Sequence, residues 1–362
     1  MKRAVILCLG TALCAAPLAL AAATAADKPA TASKAGYKAP RNIFGQPDLG
    51  DAWSNATLTP ESRPASLGDR LVYTPDEVKK LEAAVVDEVA EGNKSTDPNA
   101  PAPKQGGEVT PNVRPEFAAA GGNVGGYNRG WLDPGSSVMR VHGEPRTSFL
   151  TTPNGRPPAR KATSQQAAGG GRGGGGGGGL GSFDNPESRS LGERCIVSFG
   201  RNGGPPMLPN GFYNNNYHFV QGKDEVVIEV EMVHDVRHIA LNRKEHLPSN
   251  LRPWFGDSIG HYEGDTLVVE TTNIPRSQAY NGAWENLKVT ERFTRVGPDR
   301  LLYQYVIDDP TSWDKPWGGE YEFSPLSGRV LEYACHEGNY ALEGMLAGAR
   351  QAEADAKKTA AR

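Results

Sequence analysis

"EVVIEVEMVHDV" (225–236) is written in a period of two: Val226, Ile228, Val230 and Met232 alternate with polar positions that include Glu229 and Glu231. Successive side chains of a β-strand point to opposite faces, so this spacing describes a strand with one apolar and one polar side. Half-buried strands of that kind belong to antiparallel sheets. "GDTLVVETTN" (264–273), "LKVTERFTRV" (287–296), "RLLYQYVIDD" (300–309) and "RVLEYACHE" (329–337) repeat the pattern at short spacing, with Gly, Pro and Asp at the turns. The expectation is a mainly β chain: an antiparallel β-barrel or sandwich, built as a meander.

Two helices flank it. In "YTPDEVKKLEAAVVDEVAEG" (73–92), Thr74 caps, Pro75 takes the first helical position and Glu77 completes a capping box. Val78, Leu81, Val85 and Val89 recur at spacings of three and four, which gives this helix one docking face. A C-terminal helix follows Asn339 as its cap, with Leu342, Met345 and Leu346 on the apolar side and a frayed tail over 351–362. Before the β-region, 43–64 reads as a strand and turns anchored by Trp53, and "RTSFLTTPNGRPP" (146–158) as a strand with an Asn-Gly turn. Ten glycines surround Arg172, too many for a fixed conformation to repay its ordering entropy, so 165–182 is expected to be a flexible loop. The single β-rich domain is expected over 41–350.

The first 25 residues have a basic start at Lys2 and Arg3, an apolar stretch and an Ala23-Thr24-Ala25 cleavage pattern. They read as a secretory signal peptide, followed by a disordered mature N-terminus over 26–40. Its removal takes the formal charge from −3 to −5, which gives nucleic acid and anionic membranes no electrostatic reason to bind. No later run approaches the ~20 apolar residues of a transmembrane anchor. Cys8 and Cys14 leave with the signal, so Cys195 and Cys335 remain in an exported, oxidising setting and are expected to pair.

Chemistry-bearing residues fall in four stretches. Read as a strand, "LEYACHEG" (331–338) puts Cys335 and Glu337 on one face and His336 on the other, so the triple does not converge. "VHDVRHIALNRKEH" (233–246) carries His234, Asp235, Arg237, His238 and His246. On a strand His234 and His238 lie ~13 Å apart, and a pairing of Asp235 with Arg237 is expected at the strand end. "GDSIG" (256–260) matches G-x-S-x-G, but a nucleophile elbow needs a strand before and a helix after the serine. Prolines precede it and a turn into a strand follows, so Arg252, Trp254, Asp257, Ser258 and His261 are expected on a polar loop at one end of the β-structure. In "VIDDPTSWDKPWGGEYEF" (306–323), Trp313 and Trp317 beside carboxylates suit a ring-stacking ligand rim or an aromatic-packed hairpin.

Several phrases resemble, as a set, a family of secreted bacterial proteins with no assigned activity: "PDLGDAWSNATLTP", "ERC", "GDSIGHYEGDTLVVETTN", "DDPTSWDKPW" and "YACHEGNYALEG". The resemblance implies one extended unit with the glycine run as a loop inside it. Tyr262 stands where the family usually has a tryptophan. "LGDAW" (49–53) is similar, more loosely, to the glycine-x-tryptophan of calycins, the lipocalin-type barrels, which implies a calycin-like barrel with an internal ligand cavity.

Two functions are carried forward. One is a periplasmic or secreted hydrolase or lyase acting on a small organic or carbohydrate-like substrate by general acid–base catalysis, with His234, Arg237, Asp257, His336 and Glu337 as its catalytic set. A divalent metal is left open as its cofactor. The other is a non-catalytic, calycin-like carrier of a small apolar or aromatic ligand held by Trp254, Ser258, Trp313 and Trp317.

Overall fold

Among the described residues nine strands close into a barrel, so the barrel branch of the expectation is the one realised. The computed structural model describes residues 37–50, 52–92, 133, 135–162, 183–198, 200–211 and 213–360. The signal peptide and the glycine-rich loop lie outside the described residues, as does most of the stretch over 26–40.

The barrel strands are β1 (Ala52–Ser54), β4 (Asn216–Gln221), β5 (Glu225–Val230), β6 (Asp235–Ala240), β7 (Asp257–Glu263), β8 (Thr266–Thr272), β9 (Lys288–Gly297), β10 (Arg300–Asp308) and β11 (Trp317–Pro325). A separate hairpin pairs β2 (Arg140–Val141) with β3 (Glu144–Pro145). From β4 to β11 the chain pairs each strand with the next, and β1 closes the ring by pairing with both β4 and β11. All barrel neighbours run antiparallel except β6 and β7, which are parallel and in register only where Ile239 and Ala240 meet Ser258 and Ile259.

Alternation delivers Tyr217, Phe219, Ile228, Phe293, Tyr303, Tyr321 and Phe323 to the inside, each at most 3% exposed. Tyr303 lies 4.9 Å from Tyr321 and 5.0 Å from Phe293, ring centre to ring centre. Burial of each such ring contributes about 1.5–3 kcal/mol, and each favourable ring pair about 0.5–1.5 more. The lumen is therefore a packed aromatic core. One end is stopped by the segment 201–210: the Met207 N–H donates to the Tyr303 hydroxyl (2.8 Å), and the Tyr321 hydroxyl donates to the Met207 carbonyl (2.9 Å). Asn55 Nδ2 donates to the hydroxyls of both Tyr217 and Tyr321, each at 3.1 Å. Trp53 is the anchor expected of it: it is 2% exposed, and its indole N–H donates to the Leu49 carbonyl at 3.0 Å. Gly50 makes this close approach possible, since a Cβ there would stand 2.7 Å from the Trp53 ring.

The first helix, α1 (Pro75–Gly92), carries its capping box: Glu77 Oε2 accepts from the Thr74 N–H (2.8 Å), and the Glu77 N–H donates to Thr74 Oγ1 (3.3 Å). Val78 and Val85 are buried, whereas Leu81 and Val89 keep more than a third of their surface. The C-terminal helix, α2 (Tyr340–Ala360), runs through much of the stretch expected to fray, with Arg350–Glu353 and Lys358–Asp355 pairs along it. Asn339 does not cap it; its amide donates to the Glu193 carbonyl and to Cys195 Sγ.

Two expectations are corrected here. "RVLEYACHE" is not a strand: Cys335 precedes a short 3-10 turn (His336–Gly338), because a closed barrel leaves β11 no free edge to pair. The segment is held instead by the Cys195–Cys335 disulfide and by Glu231, whose carboxylate accepts from the Leu331 N–H at 2.8 Å. Glu231 is accordingly 4% exposed and does not share a solvent face with Glu229. "RTSFLTTPNGRPP" forms a bridge from Leu150 to Gly319 and a turn closed by the Gly155 N–H on the Thr152 carbonyl, rather than a strand.

Candidate functional site: the cleft at the β6–β7 seam

Parallel neighbours need a crossover, and here residues 241–256 supply it. The ladder covers only the last two residues of β6, Ile239 and Ala240, and a cleft of about 700 Å³ lies on the outside of this seam, beside β6. Val236 and His238 from the outer face of β6 line it, with Trp254 and Phe255 from the crossover, Glu225 from β5, and Asp257 and Ser258 from β7. Val236 and Trp254 are 41% and 38% exposed, which leaves two apolar side chains facing the opening.

Behind the cleft lies an ion pair inside the barrel. Arg237 Nη1 and Nη2 donate to Glu291 Oε1 (3.0 Å) and Oε2 (2.6 Å), and the two side chains are 1% and 0% exposed. The Tyr303 hydroxyl donates to the same carboxylate at 2.8 Å. Burial works against the Arg237 charge, and Glu291 outweighs it, so the guanidinium stays charged. Ser258 Oγ lies 2.8 Å from Thr271 Oγ1 and 3.5 Å from Arg237 Nη2. Asp235, the first inward residue of β6, is pushed up to about 7 by burial, against one hydrogen bond from the Ser198 backbone.

On the outer side, Asp257 organises the crossover. Its carboxylate takes Arg243, the Leu247 N–H (2.9 Å) and His246 Nδ1 (2.9 Å). Burial would raise its pKa, but Arg243, the Leu247 N–H and His246 together hold it below the usual carboxylate range. His246 Nε2 lies 3.2 Å from Glu270 Oε1, and Glu270 also meets Lys288 at 3.3 Å. The far half of the crossover is held by the Asn273 amide, which donates to the carbonyls of Leu247, Pro248 and Leu251. Arg252 adds bonds to the Ile274 and Glu285 carbonyls and lies 5.0 Å from the Trp284 ring centre.

Of the expected site residues, Arg237, Trp254, Asp257 and Ser258 line this one cleft. The others do not. His234 is exposed on the turn before β6, and His336 and Glu337 are exposed on the turn after Cys335. Trp313 and Trp317, 2% and 5% exposed and 5.3 Å apart edge to face, belong to the core and form no stacking rim. The expected Asp235–Arg237 pair is replaced by Arg237–Glu291. The stretch around "GDSIG" is not a polar loop: Asp257 and Ser258 begin β7, and a strand after Ser258 excludes the elbow. His261 bonds Glu263 at 3.1 Å, outside the cleft. Among the described residues no group of three or more His, Cys, Asp or Glu is placed to hold a metal ion.

Glu291, Arg243 and Glu270 were not expected. Glu291 leaves a trace in the sequence, since it occupies the inward register of β9 between Val289 and Phe293. A carboxylate on an apolar face calls for a buried cation. Arg243 and Glu270 leave none, because their partners come from other elements.

No family model matches the chain, and no curated protein matches it. Crystal structures of two variants of the fluorescent protein UnaG are similar over part of it. One is 13% identical over 31% of this chain and 72% of its own, with a TM-score of 0.20. The other is 14% identical over 38% and 86%, with a TM-score of 0.22. At such scores they add nothing to the fold, which stands on its own strand pairing as a mainly β closed barrel. Among the described residues no helix is long and apolar enough to cross a membrane.

Proposed function

We propose that this chain is a small-molecule binding protein whose site is the β6–β7 cleft, with no catalytic step. One observation carries it: the charged groups at and behind the cleft are committed to structural partners, Asp257 to Arg243, His246 and the Leu247 N–H, and Arg237 to Glu291. A general acid or base needs a pKa near the working pH, and an Asp257 held low has no proton to give. The rest of the expected catalytic set is dispersed over the surface. The packed core moves the site from the lumen of a calycin-like carrier to its wall. The ligand is small, with a flat apolar part against Trp254 and Val236 and a polar end toward Glu225 and His238. The disulfide supports an exported protein, with 1–25 as its signal peptide and a single β-rich domain over 41–350.

The test is titration with an anilinonaphthalene sulfonate dye, followed by fluorescence, on the wild type and on Trp254→Ala. Loss of an aromatic contact weakens binding about tenfold. Unchanged affinity in both Trp254→Ala and Val236→Asp overturns the cleft as the site. Turnover of an ester or glycoside substrate that disappears in Asp257→Asn restores the hydrolase.

A further inference from the structure

The two nitrogens of His246 each face a carboxylate oxygen, Nδ1 that of Asp257 at 2.9 Å and Nε2 that of Glu270 at 3.2 Å. A neutral imidazole has one N–H donor and one acceptor nitrogen, so it serves only one of these oxygens; the imidazolium donates to both. The two acceptors lie on different strands, β7 and β8, while His246 lies on the crossover. We propose that His246 is a proton-operated latch on the cleft: protonated, it ties the near half of the crossover to both strands; deprotonated, it lets that half loosen.

What the latch holds is defined by the other bonds. The near half, 242–246, brings Asn242 and Arg243 to the cleft wall. The far half is fixed by the Asn273 amide and by Arg252, neither of which titrates in the physiological range. The charged groups around the imidazole are Asp257 on β7, Glu270 on β8, Lys288 on β9 and Arg243 on the crossover itself, with Lys244 and Glu245 adjoining. Asp257 also takes Arg243 and the Leu247 N–H, and the Leu247 bond opens more often once His246 no longer ties the crossover to Glu270. Glu270, 40% exposed and paired with Lys288, is the carboxylate that water can take over, so its contact is the one released. Histidine is the side chain whose charge ordinarily changes between pH 5 and 8. The cleft therefore holds its ligand more tightly on the acid side and gives it up as pH rises. This regulation rests on the cleft being the ligand site, whereas the latch itself does not.

The experiment is a pH series on the full disulfide-bonded chain with two readouts. The His246 imidazole is followed by NMR, and protection of the Leu247 amide by hydrogen exchange corrected for the intrinsic rate. The expected result is an about tenfold loss of protection with the same midpoint as the imidazole, the size of one charge-assisted contact. In His246→Gln, and in Glu270→Gln should the first fail to fold, protection no longer depends on pH. A flat protection profile while His246 titrates overturns the latch, as does a pH dependence that survives both substitutions. Dye binding separates the two claims. Trp254-dependent binding that ignores pH keeps the site and removes the gate. A latch that works while the dye never binds keeps the switch and removes the site.

Discussion

The β9–β10 seam and the β6–β7 seam close the same barrel by different means. Along the first, the register runs unbroken from Leu301 through Asp308, and the Phe293 and Tyr303 rings meet inside it at a tilt of 44°. Along the second, backbone pairing stops after Ile239 and Ala240. Side chains take over there: Arg237 reaches behind β7 and β8 to Glu291 on β9, and Arg243 and His246 fasten the outside through Asp257. Backbone ladders hold strands at a fixed spacing of about 5 Å and leave no room between them. Side-chain ties close a barrel where backbone pairing is short, and the cleft lies on the outside of that seam, between β6 and the crossover.

The largest effect is expected where the short seam depends on charge. Glu291→Ala leaves Arg237 buried and unpaired and costs about 3–5 kcal/mol by urea denaturation, whereas Arg237→Met with Glu291→Leu comes out near neutral. A double variant as unstable as the single one would show that the pair is more than a compensated charge.

Asp235 adds a cost to the same strand. Its folded pKa of about 7 lies above the ordinary aspartate value, so the folded state holds its proton longer than the unfolded state does. Stability is thus undiminished below about pH 4 and falls as pH rises toward 7. Asp235→Asn should match the wild type near pH 4 and exceed it at pH 8 by up to about 4 kcal/mol. Parallel urea midpoints at the two pH values would refute this.

The long seam tolerates more. Tyr303→Phe deprives Glu291 and the Met207 N–H of one partner but leaves the β9–β10 ladder intact, and about 1–3 kcal/mol is expected in the same assay. Trp254→Ala, at the exposed lip, should shift stability by about 0.5 kcal/mol or less, since its role is in the cleft and not in closure.

The difference between the seams also explains what the sequence could convey. Strands β5, β9 and β10 are legible because alternation is local, and α1 because Thr74 and Glu77 lie three apart. The disulfide is legible by elimination, once Cys8 and Cys14 are assigned to the signal. The false strand at 329–337 has the same alternation but no edge to pair with, and an edge is a property of the whole sheet. Arg237 and Glu291 are 54 positions apart, and only the register of β6 through β9 brings them together. Trp313 and Trp317 beside aspartates looked alike as rim or as core, and burial decided for core.

β1 is three residues long and comes from well upstream of the meander, yet it is the strand that joins β4 to β11. Without it, β4 to β11 form an open ribbon whose two ends do not meet. The barrel is thus completed by a key carried on a different stretch of chain. A chain cut between α1 and β2 would yield a key-bearing fragment and a lock-bearing fragment. Their reassembly would make this fold a split reporter, with burial of Trp53 as the signal that the halves have met.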